Sequence, residues 1–494
     1  MRRILQAVGL VIIAIAAVVI YRTENLPSQQ VPVVPIDPVD IDELVVAGHL
    51  SELIQFKTLS RQVKQDGDEL PFLAVHEWLA ATYPKTFATL EHQPIADLTL
   101  LFKWQGSDPD ARPILWTGHM DVVPVEAGTE ELWTHPPFSG KIAEGHIWGR
   151  GAVDMKSTVI AMMEAIEHLA GSGYQPKRTL YLALTHDEEV GGLKGAAAVT
   201  AHLKQADVQM AWSLDEGGVI GVGGLINGID EPVALIAVGE KGWITLKITA
   251  KSGGGHSSMP IAGDLAIVNL SKALVKLDES QFPAKLNGAP REMLLSLAPA
   301  LPYYQRAALA NLWLFEPLVV AMLESSPQSA AMLRTTIAPT MIEGSPKENI
   351  LPQRASAFVN FRVHPNDTVE SVLAHVERAV ADPMIEVSQS TQSFARDASP
   401  MASKESAGYK LIAKTIGDIY GSILVSPGMT VGGTDSKHYQ AIADETYRFA
   451  PMTLPPSDAR GFHGTNERVR VANMDDMVRF YIQLMKNADE DRYF

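Results

Sequence analysis

What most constrains the fold of this 494-residue chain is a set of short apolar runs, each followed within a few residues by carboxylates or an imidazole. Ile114 to Thr117, Leu180 to Thr185 and Met210 to Leu214 are too short for helices and apolar on both faces. That is the pattern of strands in a largely parallel sheet covered by helices on either side. Between the first two runs, Val159, Met162, Met163, Ile166 and Leu169 recur at helical spacing, and Gly171 and Gly173 end that helix. Residues 41–238 therefore read as an α/β unit, and the same character returns over 399–494.

Between these segments the periodicity changes. From Gly242, Ile244, Leu246, Ile248 and Ala250 alternate with Trp243, Thr245, Lys247 and Thr249, which marks a half-exposed strand of a different sheet. A helix from Leu265 to Leu277, a mostly apolar helical stretch from Arg291 to Leu333, a strand near Phe358 to Val363 and a helix from Val369 to Ala381 follow. Residues 239–398 are thus expected to form an inserted α+β unit. Within it, Ala307 to Leu323 is nearly continuous in apolar residues, but Glu316 and Pro317 interrupt it and argue against a bilayer span. It reads as a helical hairpin, buried in that unit or facing a membrane or a partner.

Residues 1–22 lie outside both units. Arg2 and Arg3 precede an apolar stretch from Ile4 to Tyr21, broken only by Gln6, and a polar, Pro-bearing linker occupies residues 23–40. The stretch is only marginally long enough to cross a bilayer, yet it lacks a clear small-residue cleavage site, so an uncleaved anchor is expected rather than a cleaved signal. Positive charge at the start puts that end in the cytoplasm and the catalytic part outside it, in a periplasmic or extracellular space. A net charge of −16 disfavours nucleic acid as a partner, and zero cysteines exclude thiol nucleophiles, thiolate metal sites and disulfides together. Any metal must be held by His, Asp and Glu.

Those residues gather where open α/β sheets bind ligands, beyond the carboxyl ends of the strands. His119 and Asp121 follow the first run, Glu188 and Glu189 the second, and Asp215 the third. Asp154 sits in Trp148-Gly-Arg-Gly-Ala-Val-Asp-Met-Lys, just before the Val159 helix, and His463 in Gly461-Phe-His-Gly-Thr-Asn-Glu. Two imidazoles and three carboxylates on one rim match the ligand supply of two Zn²⁺ ions about 3.5–4 Å apart. Glu188 is then left as a general base, and Asp121 as the group that orients His119. His135, His146, His168, His186 and His202 lack this context and are read as ordinary.

His119-Met-Asp-Val-Val-Pro, Gly149-Arg-Gly-Ala-Val-Asp-Met-Lys, Asp187-Glu-Glu-Val-Gly-Gly, Trp133-Thr-His-Pro-Pro-Phe-Ser-Gly and Gly255-His-Ser-Ser together resemble the M20 family of metallopeptidases. The nearest branch is that of Gly-X carboxypeptidase and the N-acyl-amino-acid hydrolases. The resemblance implies one zinc on His119, Asp154 and Asp215 and another on Asp154, Glu189 and His463, with Co²⁺ able to substitute. It implies a cis peptide after Asp154. It also implies that residues 239–398 serve as lid and dimerisation domain, that His256 reaches into a partner subunit's site to stabilise the oxyanion, and that Asn349 and Arg362 bind substrate. Gly432, Gly433 and Thr434 form a Gly-rich turn that could offer N–H groups to a substrate carboxylate.

The expected activity is amide hydrolysis of a short peptide with a free C-terminus or of an N-acyl amino acid. A deacylase of another small N-acyl metabolite is the alternative within the fold. A non-catalytic, membrane-anchored binding protein is the alternative outside it, and the presence of Glu188 beside five ligands speaks against a mere binder.

Overall fold

The computed structural model describes all residues except 34–35, 62, 64, 225–227, 392–393 and 491–494, so two residues of the expected linker and the last four of the chain lie outside the described residues. Its main body is a ten-stranded mixed sheet. In spatial order this sheet runs Glu91–Ile95, Thr99–Trp104, Leu180–Thr185, Ile114–His119, Met210–Asp215, Ala443–Arg448, Val233–Glu240, Ile220–Gly221 and Thr453–Leu454, with Leu424–Thr430 also paired to Val233–Glu240. The strands that matter for chemistry are its parallel centre. Ile114–His119 lies between Leu180–Thr185 and Met210–Asp215, and Ala443–Arg448 continues the parallel set.

Every residue of these three apolar strands is buried, as the two-sided apolar runs require. The helix Ser157–Gly171 packs against Met474–Ala488 on one face, and Ala196–Gln205 covers the other. All five residues of the predicted helical stripe, Val159, Met162, Met163, Ile166 and Leu169, are in the core. Parallel strands share one carboxyl edge, and that edge carries His119, the turn after Thr185 and Asp215 together.

A second, antiparallel sheet runs Thr336–Glu343, Arg354–Val363, Gly242–Lys251, Ile385–Gln389. The alternating residues Ile244, Leu246, Ile248 and Ala250 face the helices Ala266–Glu279 and Val369–Val380 in a core of its own. Val233–Glu240 belongs wholly to the large sheet, and the small sheet begins at Gly242, where the alternating pattern starts. The apolar helices between 288 and 333 do not join the small sheet's core. Gly288–Leu297 packs on Leu424–Thr430 at the edge of the large sheet, where Ser296 and Ser426 hydroxyls are 2.6 Å apart, and its neighbours form separate clusters around Leu309, Leu312 and Val319.

The N-terminal helix Arg2–Glu24 is exposed along its apolar length, and only Thr23 is buried. The segment after it is fastened rather than loose. Leu26 packs on the Leu309 cluster, the Gln30 side chain accepts from Val425 N–H at 2.7 Å, and Val39 O accepts from Arg479 Nε at 2.8 Å.

Candidate metal centre

At the carboxyl edge of the large sheet, Asp154 lies between two histidines. Its Oδ1 is 2.9 Å from His119 Nε2 and its Oδ2 is 2.7 Å from His463 Nε2. Each histidine has a second carboxylate beside it: Glu216 Oε1 at 3.2 Å from His119 Nε2, and Glu189 Oε2 at 3.3 Å from His463 Nε2. The donor atoms form two groups, His119–Asp154–Glu216 and Asp154–Glu189–His463, within each of which all lie less than 4.8 Å apart. Asp154 belongs to both.

Backbone placement explains this convergence. His119 ends its strand in register with Thr185, so the Glu188–Glu189 turn that follows Thr185 starts beside it. The fully buried Asp121 joins the two. Its carboxylate accepts from the Glu188 and Glu189 N–H groups at 3.2 and 3.1 Å, while its carbonyl is 2.9 Å from His119 Nδ1. The loop carrying Asp154 is held by Glu467, also fully buried. Glu467 accepts from the N–H groups of Gly151 (3.0 Å), Val153 (2.8 Å) and Asp154 (3.2 Å) and from Arg150 Nη1 at 2.6 Å. Arg150 in turn donates to His463 O at 3.2 Å, so one ion pair fixes both ends of the site. Gly151 adopts φ +85°, and a Cβ there would stand 2.5 Å from Val122 Cγ1, so this turn requires glycine. The Asp154–Met155 peptide is cis.

The carboxylate of Asp215, the expected ligand, accepts the N–H groups of Ser436 at 2.7 Å and Glu216 at 2.9 Å and is not part of either donor group. Glu216, its neighbour, supplies the carboxylate beside His119 instead. Both residues are acids at the end of one strand, and only the path of the chain beyond that strand decides which of them faces the cluster.

The electrostatics are those of a crowded anionic site. Burial drives the Glu188 carboxyl well above its ordinary range, with Asp435 and Glu216 adding to the effect against His119 and Lys437. Burial and then Asp154 do the same to Glu216. Asp154 is held low despite its burial, through hydrogen bonds with His119 and His463. His463 is pushed up to about 10 by hydrogen bonds with Asp154 and Glu189. His119 is raised as well, because the surrounding carboxylates outweigh its burial. Protons on the imidazoles thus offset part of the carboxylate charge, the task a bound cation performs. The donors fit a borderline divalent ion: all are imidazole nitrogens or carboxylate oxygens, and Glu189 Oε1 is buried with no hydrogen-bond partner among the described residues.

The remaining expected residues lie outside this cluster. His256 is exposed on the two-residue strand Gly255–His256, paired antiparallel with Ile350–Leu351, and Asn349 is exposed beside it, its O accepting from Ser257 N–H at 3.2 Å. Ser258 N–H donates to His256 Nδ1 at 3.2 Å, which makes Nδ1 an acceptor and puts the proton of a neutral ring on Nε2. Arg362 is half-buried with its guanidinium 3.8 Å from the Trp243 ring centroid. Burial, followed by nearby Arg396, lowers its pKa to about 10. The Gly-rich turn is partly committed to the protein itself. The Thr434 N–H and hydroxyl donate to Glu240 at 3.0 and 2.9 Å, and Arg396 and Arg448 pair with the same buried carboxylate. Thr434 therefore does not offer its N–H to a ligand, whereas Gly432 and Gly433 remain accessible. Glu216 and Glu467 are the two site residues that sequence reasoning missed. Glu467 stands in the same motif as His463.

Residues 115–487 match the model of peptidase family M20/M25/M40. The chain is 39% identical to an N-fatty-acyl-amino acid synthase/hydrolase from Danio rerio over 83% of its own length and 79% of the relative. It is 34% identical to a probable carboxypeptidase S-like protein from Dictyostelium discoideum over 97% and 93%. Among solved structures, a M20 family metallo-carboxypeptidase from Sulfolobus solfataricus is similar in fold, with a TM-score of 0.65 at 17% identity, covering 91% of this chain and 100% of that one.

Proposed function

The chain belongs to peptidase family M20/M25/M40, a family of metal-dependent amide hydrolases, and we propose that it holds two Zn²⁺ ions at the Asp154 cluster. The substrates are short peptides with a free C-terminus or N-acyl amino acids. The observation that carries the two-ion reading is the bridging position of Asp154, one oxygen toward each histidine and a separate carboxylate behind each of them. His119, Asp154 and Glu216 would hold one ion, and Asp154, Glu189 and His463 the other. When bound, such ions polarise the scissile carbonyl and lower the pKa of the attacking water.

The protein's own groups do the rest. Glu188 is the group beside the cluster left free of ligation. Burial keeps its affinity for a proton high, which suits a base that takes a proton from the attacking water and delivers it to the leaving nitrogen. Asp121 keeps Glu188 and His119 in position through the backbone contacts described above. Arg362, stacked on Trp243, is the cation for the substrate carboxylate, with the Gly432–Gly433 turn close by and Arg396 Nη2 2.8 Å from where a Cβ on Gly433 would lie.

His256 presents a donor proton on Nε2 from an exposed tip, with Asn349 adjacent, and makes no hydrogen bond or ion pair to the cluster among the described residues. That arrangement suits a histidine working in the site of a second copy, in a homodimer built through the small-sheet unit. Arg2–Glu24, at 1.5 Å per residue about 34 Å long, matches a hydrocarbon core of about 30 Å. It would anchor the enzyme with Arg2 and Arg3 on the cytoplasmic side and the catalytic unit in a periplasmic or extracellular space.

A panel of dipeptides and N-acyl amino acids, assayed after chelation and after return of Zn²⁺ or Co²⁺, tests this reading. Metal-restored hydrolysis of one of the two classes is expected. Undiminished activity in chelated protein would contradict it.

A further inference from the structure

The helices Tyr303–Ala310 and Leu312–Leu323 form a pair bent by 119°, and one face of this pair has no protein cover. On the second helix, Leu314, Leu318 and Met322 recur every four residues and are 41%, 56% and 54% exposed, while Leu312 and Val319 point inward and are buried. Glu316 lies two residues from Leu318, about 160° round the helix, so it does not interrupt the exposed stripe. Tyr303, Tyr304 and Trp313 are exposed on the same pair. Aromatic rings with a polar edge beside a stripe of aliphatic ones are the composition of a surface seated at the level of lipid headgroups.

The pair is joined to the N-terminal helix by a built contact. Asn311, fully buried at the bend, donates from Nδ2 to Val19 O at 3.2 Å and to Thr23 Oγ1 at 3.3 Å. Thr23 is the buried residue of a helix otherwise open to its surroundings. The contact falls in the last turns of that helix, where Tyr21 is also exposed. If Arg2–Glu24 crosses a bilayer, this end emerges at the outer surface and the bent pair lies beside it, at headgroup depth. The segment after that helix is tied to the large sheet and the helix packed on it, through Gln30 to Val425 N–H at 2.7 Å and to Ser296 O at 3.3 Å.

We propose that Tyr303–Leu323 is a second membrane element: a hairpin that lies in the outer interface of the bilayer with Leu314, Leu318 and Met322 toward the acyl chains. The occupant of the apolar face is lipid. A second copy of the chain on the same face is the competing outcome of the test. The proposal rests on the anchor reading of Arg2–Glu24.

The test is tryptophan quenching in the full chain, reconstituted into phosphatidylcholine vesicles with and without brominated acyl chains. Of the eight tryptophans, Trp313 is the one more than half exposed, but it lies about 140° round the helix from Leu318. The stripe is therefore reported by Leu318→Trp in a Trp313→Phe background, after subtraction of the emission of Trp313→Phe alone. That component should be mostly lost in brominated vesicles. A control carrying Val11→Trp in the Trp313→Phe background reports on the anchor separately. Quenching of the control without quenching of the Leu318→Trp component overturns the hairpin and leaves the anchor standing. Quenching of neither overturns both. A Leu318→Trp component that is shielded from brominated lipid, together with energy transfer between differently labelled copies, assigns the face to self-association and likewise overturns the proposal.

Discussion

Glu467→Gln probes the support of the metal centre rather than the centre itself. Glutamine keeps the shape of Glu467 but has one acceptor oxygen where the carboxylate has two. Whichever way the amide is turned, either Gly151 N–H and Arg150, or Val153 and Asp154 N–H, face an NH₂ group. Arg150, 3% exposed, loses its counter-charge in both cases. Removing one member of a buried pair costs about 3–5 kcal/mol. For a body of this size that amounts to a fall in Tm on the order of 5–10 °C. Because the same contacts place Asp154 and the His463 backbone, metal affinity should fall about 10–100-fold. At a fixed free Zn²⁺ concentration well above the Kd of both proteins the metal-induced stabilisation should then shrink by about 1.4–2.7 kcal/mol. Differential scanning calorimetry of metal-free protein and of protein at buffered Zn²⁺ separates the two effects. An unchanged Tm with an unchanged zinc-induced shift would show that Glu467 does not support the site.

Other substitutions divide the roles within the cluster. Glu216→Gln should lose one metal per chain while Asp215→Asn keeps both, measured by elemental analysis after dialysis; the reverse outcome would restore Asp215 as ligand. Glu188→Gln should retain both metals and lose at least about 10²-fold in kcat, so loss of metal in that variant would contradict its role as base. Neither histidine can bind metal while protonated. His463, raised to about 10, and His119, also raised, lie above the unfolded value of about 6.5. Their pairs with carboxylates stabilise the metal-free fold fully below that unfolded value and lose this contribution as pH rises through the folded one. Zinc uptake at pH 7 should therefore release protons, seen as a binding enthalpy that tracks the ionisation enthalpy of the buffer, and buffer independence would contradict the assignment. Finally, inactive His256→Ala and Glu188→Gln subunits, mixed under conditions of proven exchange, should regain activity, and no recovery would mean that His256 does not act across a dimer.

How much of this was legible in the sequence depended on whether local pattern or distant contact decides a residue's place. The covered parallel strands could be read because burial on both faces leaves an unbroken apolar run, and their shared direction puts His119, Glu188, Glu189 and the Asp215 strand end on one edge. Asp154 and His463 were found through motifs rather than periodicity. The choice between Asp215 and Glu216 was not legible, because it is set by the backbone N–H of Ser436, far along the chain, which captures Asp215. Thr434 looked like part of an anion-binding turn, but Glu240, a carboxylate of the same chain, already occupies its donors. What the helices between 288 and 333 pack against was not legible, because apolar composition records that a helix is covered, not by what. Glu467 was present in the His463 motif, four residues after the histidine, and that proximity was the available signal.

The central claim is a pair of metal ions bridged by Asp154, and anomalous diffraction from crystals of the zinc-loaded protein at the zinc edge tests it most directly. Two peaks are predicted, one against His119 and Glu216, the other against Glu189 and His463, with an Asp154 oxygen on each. A single peak, or peaks away from Asp154, in protein that hydrolyses its substrate would contradict the account.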